Sequence, residues 1–309
     1  MSGAVAAFER RDAIDSVAVL TMLGLTFSWG MNGVAAKISY GGYDPVFLTV
    51  ARSAIAGALV LLWCRFRGIR LFSQDGSLWL GVLVGALFGL EFLLIFIGLE
   101  YTSVARNVLL VNTMPFWVLL GAHFLLGEHM SVRKWLGLLL AFGGLVLVFS
   151  DQLSLLGPET IRGDLMSLGA AVAWAATNLL IKGTRLTRIV PEKLLLYQLG
   201  VSMVLAAAVL PFAGPPIRAV TLVPTLALLF QAAYIVAFTY TLWFWLMRRY
   251  PASGLASFTF LTPGFGVLCG GLVLGEPLSA RIFIALGLIA SGLFIVNRPA
   301  SQTRRQWTR

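Results

Sequence analysis

Ten stretches of about 20 mainly apolar residues run through this chain of 309, near 17–38, 45–64, 78–98, 104–126, 132–150, 163–183, 192–213, 222–246, 251–274 and 279–297. A helix of that length crosses the hydrocarbon of a bilayer, and backbone amides in lipid find partners only within helices or closed barrels. Hydrophobic residues make up 59% of the chain and charged residues 12%, with a mean hydropathy of +0.88. One water-soluble core cannot hide that much apolar surface. The expected fold is therefore an all-α integral membrane protein with ten transmembrane helices. The first stretch follows a polar "FERRDAID" and lacks a small-residue cleavage site, so it reads as a span and not as a removable signal peptide.

The formal net charge of +10 would suit a nucleic-acid binder, but its placement argues otherwise. Seventeen of the 23 Lys and Arg residues lie in alternate connections, among them Arg65, Arg67, Arg70, Lys182, Arg185, Arg188 and Lys193, and five lie at the opposite ends. Arg52 alone remains inside a span. This is the positive-inside pattern, so both termini are expected in the cytoplasm, with membrane lipid around the chain and no nucleic acid as partner. The two cysteines, Cys64 and Cys269, supply no disulfide framework and read as small packing residues.

The halves of the chain resemble each other. "WGMNGVAAK" (29–37) and "WAATNLLIK" (174–182) each place a Trp eight residues before a Lys, and "MPFWVLLGAHFLLGEHMS" (114–131) aligns without a gap on "TPGFGVLCGGLVLGEPLS" (262–279). Pro115 thus matches Pro263, and Glu128 matches Glu276. Five spans is an odd number, so the second copy enters the membrane from the other side, giving two inverted five-helix repeats as in many secondary transporters. The expected organisation is a cytoplasmic segment (1–16), a first repeat (17–150), a linker (151–162), a second repeat (163–298) and a polar cytoplasmic tail (299–309). These repeats, each with a Trp in its first helix and a "P…LGE" run before its fifth, resemble the drug/metabolite transporter superfamily, EamA type. With Trp29, Asn32 and Lys37 in the first helix and Tyr101-Thr102-Ser103 opening the fourth, the chain is also similar to the amino acid exporter branch, including YddG-like aromatic amino acid exporters. The resemblance implies a bacterial inner membrane and covers about residues 17 to 298.

Polar groups inside spans are expensive and mark function by default. At 1.5 Å per residue, Glu91, Arg52, Asn32 and Asn112 fall in one layer about 10 Å below the outer surface. Arg52 and Glu91 form the natural pair, either a static bridge between the second and third helices or part of a substrate cavity or outer gate. The matching layer of the second repeat is neutral: Asn178, Gln198, Tyr240 and Thr259, expected near the inner face. Trp29 and Trp174 are repeat-related, and Trp243, Tyr234 and Tyr240 are read as a stripe on the eighth span. Such rings serve packing and interface anchoring, or form a cage for a flat or cationic ligand. Trp79 and Trp135 read as interface belts. Pro115 and Pro263 inside spans are fixed kinks or hinges. Gly137 with Ala141 and Gly287 with Ser291 would let the fifth and tenth helices pack closely.

No HExxH, P-loop or GxSxG pattern occurs, so neither a zinc protease, an ATP motor nor a lipase-like nucleophile is indicated. No cofactor and no metal is expected. The reading that follows is a secondary transporter, not an enzyme, exporting amino acids, aromatic ones included, or similar small metabolites by alternating access, with proton coupling through Glu91 or none. The alternatives are a multidrug or organic-cation exporter, and an intramembrane enzyme using Glu91 and His123 as acid and base.

Overall fold

The structure, a computed structural model, describes residues 13–71, 75–98, 101–102, 104–129, 131–150, 158–275 and 280–298. Glu276, the tail from 299 and the linker residues 151–157 lie outside them. Ten helical spans long and apolar enough to cross a membrane are present among the described residues: Ser16–Ser39, Pro45–Phe66, Leu78–Ile95, Arg106–Leu126, Val132–Phe149, Thr160–Gly183, Pro191–Phe212, Leu222–Arg249, Ala252–Val273 and Ala280–Asn297. The protein is thus a ten-span, multi-pass membrane protein. The face on which the first span begins and the tenth ends carries most of the Lys and Arg and is called here the basic face. The helix of the sixth span starts at Pro158, inside the stretch expected as linker, in keeping with the fixed φ of proline at a helix start.

Local chemistry sets many span ends. Asp15, Asp44 and Ser131 accept hydrogen bonds from backbone amides of the first turns of the first, second and fifth spans, satisfying donors that would otherwise be orphaned. The fourth span closes on Gly127 and the ninth on Gly275, both left-handed with φ of 67° and 69°, a conformation open to glycine at little cost. Trp79 is exposed, and Trp135 packs on Phe116 at 5.7 Å.

The helix pairings are symmetric. The first span packs on the ninth and the sixth on the fourth; the third packs on the sixth and seventh, and the eighth on the first and second. The second with the seventh, and the fifth with the tenth, complete the most extensive pairings. Exchanging each span for its counterpart five along maps this set onto itself, as an internal two-fold requires.

The fifth and tenth spans approach most closely at Gly137 and Gly292. A Cβ on Gly137 would stand 2.7 Å from the Gly292 carbonyl oxygen, and one on Gly292 would stand 2.6 Å from the Ala141 amide nitrogen. The tenth span therefore contributes Gly292 and not the expected Gly287 and Ser291: Gly287 has open space around it and Ser291 is exposed. Gly292→Val should lower the melting temperature of detergent-solubilised protein by several degrees, since overpacking costs about 1–3 kcal/mol or more, whereas Gly287→Val should leave it unchanged. A fluorescence-detected thermal-shift experiment on both variants checks this.

Candidate functional site

Three spans are irregular in their middles, and the irregularities surround one cavity. In the fourth, the helix Val104–Val111 stops and a second, Met114–Leu126, starts two residues before Phe116 with Pro115 in its first turn. The break is satisfied locally: Asn112 Nδ2 donates to the Val108 carbonyl at 2.8 Å and Thr113 Oγ1 to the Leu110 carbonyl at 2.6 Å. The ninth does the same, with a helix Ala252–Ser257, a tighter 3₁₀ turn Phe258–Phe260, and a helix Leu261–Leu274 carrying Pro263 near its start. The eighth widens to a π-helix over Gln231–Thr239, a form that recurs at functional sites. Paired interruptions in corresponding halves are where transporters of this architecture bind solute.

The cavity between these spans has a volume of about 240 Å³. Its polar lining is Asn32, Glu91, Asn112, Thr177, Asn178, Gln198 and Thr262; its aromatic lining is Trp29, Phe88, Phe92, Trp174, Tyr240, Trp243 and Phe244. Trp29 is held by its indole N–H, which donates to Thr239 Oγ1 at 2.9 Å. Its ring meets Tyr240 and Trp243 edge-on at 6.1 and 5.6 Å, and Phe88 links Tyr240 to Phe92 at 6.3 and 5.0 Å. The result is a ring-lined wall with amides and one carboxylate set into it.

Five of these polar side chains keep an atom that the protein does not satisfy. Asn32 Oδ1, Glu91 Oε2, Thr177 Oγ1, Gln198 Oε1 and Thr262 Oγ1 are buried without a hydrogen-bond partner, and all five belong to cavity-lining residues. Elsewhere in the spans, threonines such as Thr26, Thr49 and Thr241 bond back to the carbonyl four residues earlier. Leaving a buried polar atom unpaired costs about 1–3 kcal/mol, and five such atoms around one space are open to polar groups from outside the fold, water included.

Of the residues singled out from sequence, Trp29, Asn32, Glu91, Asn112, Trp174, Asn178, Gln198, Tyr240 and Trp243 line this cavity. The two polar layers, expected near opposite faces, meet at one site, because the broken helices and the inverted repeats converge at mid-depth. Arg52 does not line it. The guanidinium lies over Phe92, 4.7 Å from the ring centroid, and among the described residues no ion pair joins it to Glu91. Thr259 is fully buried and donates to the Ala256 carbonyl at 2.7 Å. Tyr234 is 42% exposed and stacks with Phe230 and Phe238. The expected stripe fails there because Tyr234 lies inside the π-helix Gln231–Thr239, where the α-helical period that would align it with Tyr240 and Trp243 does not hold. His123 is at the end of its span, 3.2 Å from the Glu128 carbonyl, and not with Glu91 in the cavity lining.

Phe88, Phe92, Thr177, Phe244 and Thr262 were not singled out. Phe88 and Phe92 were readable, standing three residues before and one after Glu91; Thr177 aligns with Asn32 at the repeat offset of 145 residues. Thr262 and Phe244 gave no such signal. Hydrogen bonds join neighbouring spans on both faces. On the basic face, Lys182 donates to the carbonyls of Met247 (2.7 Å) and Tyr250, Tyr250 donates to Asp15, and Glu128 accepts from the Ala252 amide at 2.9 Å at the start of the ninth span. On the opposite face, Arg106 pairs with Asp164, which also accepts from Thr102 at 2.7 Å.

Known proteins match most of the length of this chain. The profile of the EamA-like transporter family matches residues 16–150 and again 161–298. Among curated proteins, the uncharacterized transporter YoaV of Bacillus subtilis is 25% identical over 279 residues, spanning 90% of this chain and 95% of its own. A probable amino-acid metabolite efflux pump of Escherichia coli is 24% identical over 298 residues, spanning 93% and 95%. A crystal structure at 23% sequence identity shares the fold with a TM-score of 0.80 over 91% of this chain and 96% of its own.

The unpaired atoms generate a prediction. Thr177→Val and Thr262→Val replace an unsatisfied hydroxyl by a methyl of the same shape. Each should leave the melting temperature unchanged or raise it by about 1–4 °C, while lowering transport. Thermal shift and liposome flux on the same preparations check both halves.

Proposed function

This chain belongs to the EamA-like transporter family, and from that premise we propose that it is a secondary transporter exporting an amino acid, or a similar small amphipathic metabolite, by alternating access. The observation that carries the reading is the set of five unpartnered polar atoms around one aromatic-walled cavity. A zwitterion with an apolar side chain answers each part of that wall. Its ammonium group is placed at Glu91, since a buried carboxylate is stable only when neutralised or paired. Its carboxylate takes the amide N–H groups of Asn32, Asn112, Asn178 or Gln198, with the charge of Arg52 behind Phe92. Its side chain lies among Trp29, Trp174, Tyr240 and Trp243, where an aromatic or long aliphatic group gains most.

A volume of about 240 Å³ lies below the about 300–1,000 Å³ of sites for drug-sized ligands, which favours a metabolite over a bulky drug. The name of the Escherichia coli relative points the same way. An organic-cation exporter is the second reading, favoured by the single carboxylate amid rings. In the transport cycle, Pro115 and Pro263 are the hinges of the broken spans, and the two sets of hydrogen bonds joining spans at the faces part in turn. The basic face is cytoplasmic by charge bias, and both termini lie there. Ionised Glu91 holds the solute's ammonium group on the outward leg and takes up a proton from the opposite side once the solute has left, releasing it inside, so that one proton enters for each solute exported.

Uptake of a labelled amino acid panel into liposomes holding the purified protein tests this, with and without an imposed pH gradient. Wild type should give saturable uptake of at least one amino acid, and Glu91→Gln should reduce it at least tenfold, about 1.4 kcal/mol, and remove the pH-gradient effect. Unchanged uptake by Glu91→Gln would reduce Glu91 to a structural residue, and saturable uptake of organic cations alone would select the second reading.

A further inference from the structure

Away from the central cavity, the basic face carries a recess of about 500 Å³ walled by Arg70, Arg185, Arg188, Lys193 and Asp75. Lys193 Nζ donates to Asp75 Oδ2 at 2.7 Å, and four cations stand against the one acid that lines the recess. The positions are built. Asp75 Oδ1 accepts from the Ser77 amide at 3.0 Å, and the turn continues through Gly76 at φ +65°, where a Cβ would stand 2.5 Å from Arg185 Nη1. A 3₁₀ turn, Arg185–Arg188, presents both of its arginines at the exposed rim. Among the described residues, none of Arg70, Arg185 and Arg188 has an acidic partner within ion-pair distance.

Lys193 also walls a second hollow. This is an apolar groove of about 560 Å³ between the second, third and seventh spans, lined by Ala54, Leu61, Leu78, Leu196 and Met203 among others. From Ser53 to Leu61 it follows about 12 Å of helix, most of the about 15 Å of hydrocarbon in one leaflet. Leu61 and Leu78 beside it are 47% and 58% exposed, so the groove opens to the surrounding lipid. Trp63 and Trp79, both exposed, close the second span and open the third, where interfacial rings mark the headgroup level.

A recess with surplus positive charge at headgroup depth, sharing one lysine of its wall with an apolar groove at acyl depth, fits an occupant with an anionic head and a hydrocarbon tail. We propose that the basin and groove together bind one anionic phospholipid of the leaflet on the basic face. Its phosphate sits among Arg70, Arg185 and Arg188, and one acyl chain lies along the groove past Gly57 and Gly200. Basic recesses between spans are suited to such headgroups. The occupant bridges the connection after the second span to the one after the sixth, joining one repeat to the other.

Native mass spectrometry of the full chain in detergent tests this, titrating dioleoyl phosphatidylglycerol against phosphatidylcholine of the same chains. Wild type should hold one phosphatidylglycerol at least tenfold more tightly than phosphatidylcholine. Arg185→Gln with Arg188→Gln should weaken it roughly 30-fold, as expected for two basic residues near an anionic head. Arg185→Lys with Arg188→Lys, which keeps the charge, should retain most of the preference and serves if the glutamine pair does not fold. Gly57→Leu with Gly200→Leu fills the groove, where a Cβ at either glycine meets nothing within 4 Å, and should weaken phosphatidylglycerol at least tenfold. Equal binding of the two lipids by wild type would overturn the proposal, as would indifference to the arginine changes. So would full affinity in the filled-groove variant together with displacement by millimolar inorganic phosphate, which would leave a free-anion site.

Discussion

In the hydrocarbon of a membrane every backbone polar group must be satisfied by the protein itself, and the rest of this structure depends on where that rule is bent. Seven spans run as helices through their middles, and the first, second and fifth are capped by side chains at their starts. The fourth, eighth and ninth depart from the α-helix at mid-span, and nearby hydroxyls and amides take up carbonyls there. Thr113, Asn112 and Thr259 each bond to a carbonyl three or four residues back. Irregular backbone is affordable at this depth only beside other protein or a polar cavity, and here it borders one.

The cavity inverts the usual relation between burial and satisfaction. Around it the protein fixes the aromatic side chains with care, as in the Trp29 to Thr239 hydrogen bond, and leaves the oxygens of amides, hydroxyls and a carboxylate without partners. A wall of this kind is less stable empty than an apolar one would be. Its open valences suit a ligand that brings its own charges and N–H groups, and a fold shared with transporters gives that ligand a route.

Much of the site was legible because the repeat doubles every signal. Trp29 and Trp174 identify each other, as do Pro115 and Pro263, and a carboxylate at Glu91 amid leucines is conspicuous without any alignment. Depth counted along straight helices served for single residues and failed for their assembly. It separated the two polar layers that the broken spans bring to one cavity, and it paired Arg52 with Glu91 when the arginine lies over Phe92. Tyr234 was lost for a simpler reason, since it lies inside the π-helix Gln231–Thr239, where the α-helical period behind the stripe does not hold.

By itself the sequence determined the class of fold, the number of spans, the internal duplication and most of the residues that line the site, because hydrophobic length and repeat spacing are one-dimensional quantities. Only the tertiary structure decided that the two polar layers form a single cavity, that five polar atoms there stay unpaired, and that Gly292 in place of Gly287 meets Gly137. The same holds for the sharing of Lys193 between the walls of a basic recess and an apolar groove. These are relations between side chains on different helices, set by helix rotation and by breaks in helical phase, and a shift of one residue in phase turns a side chain by about 100°.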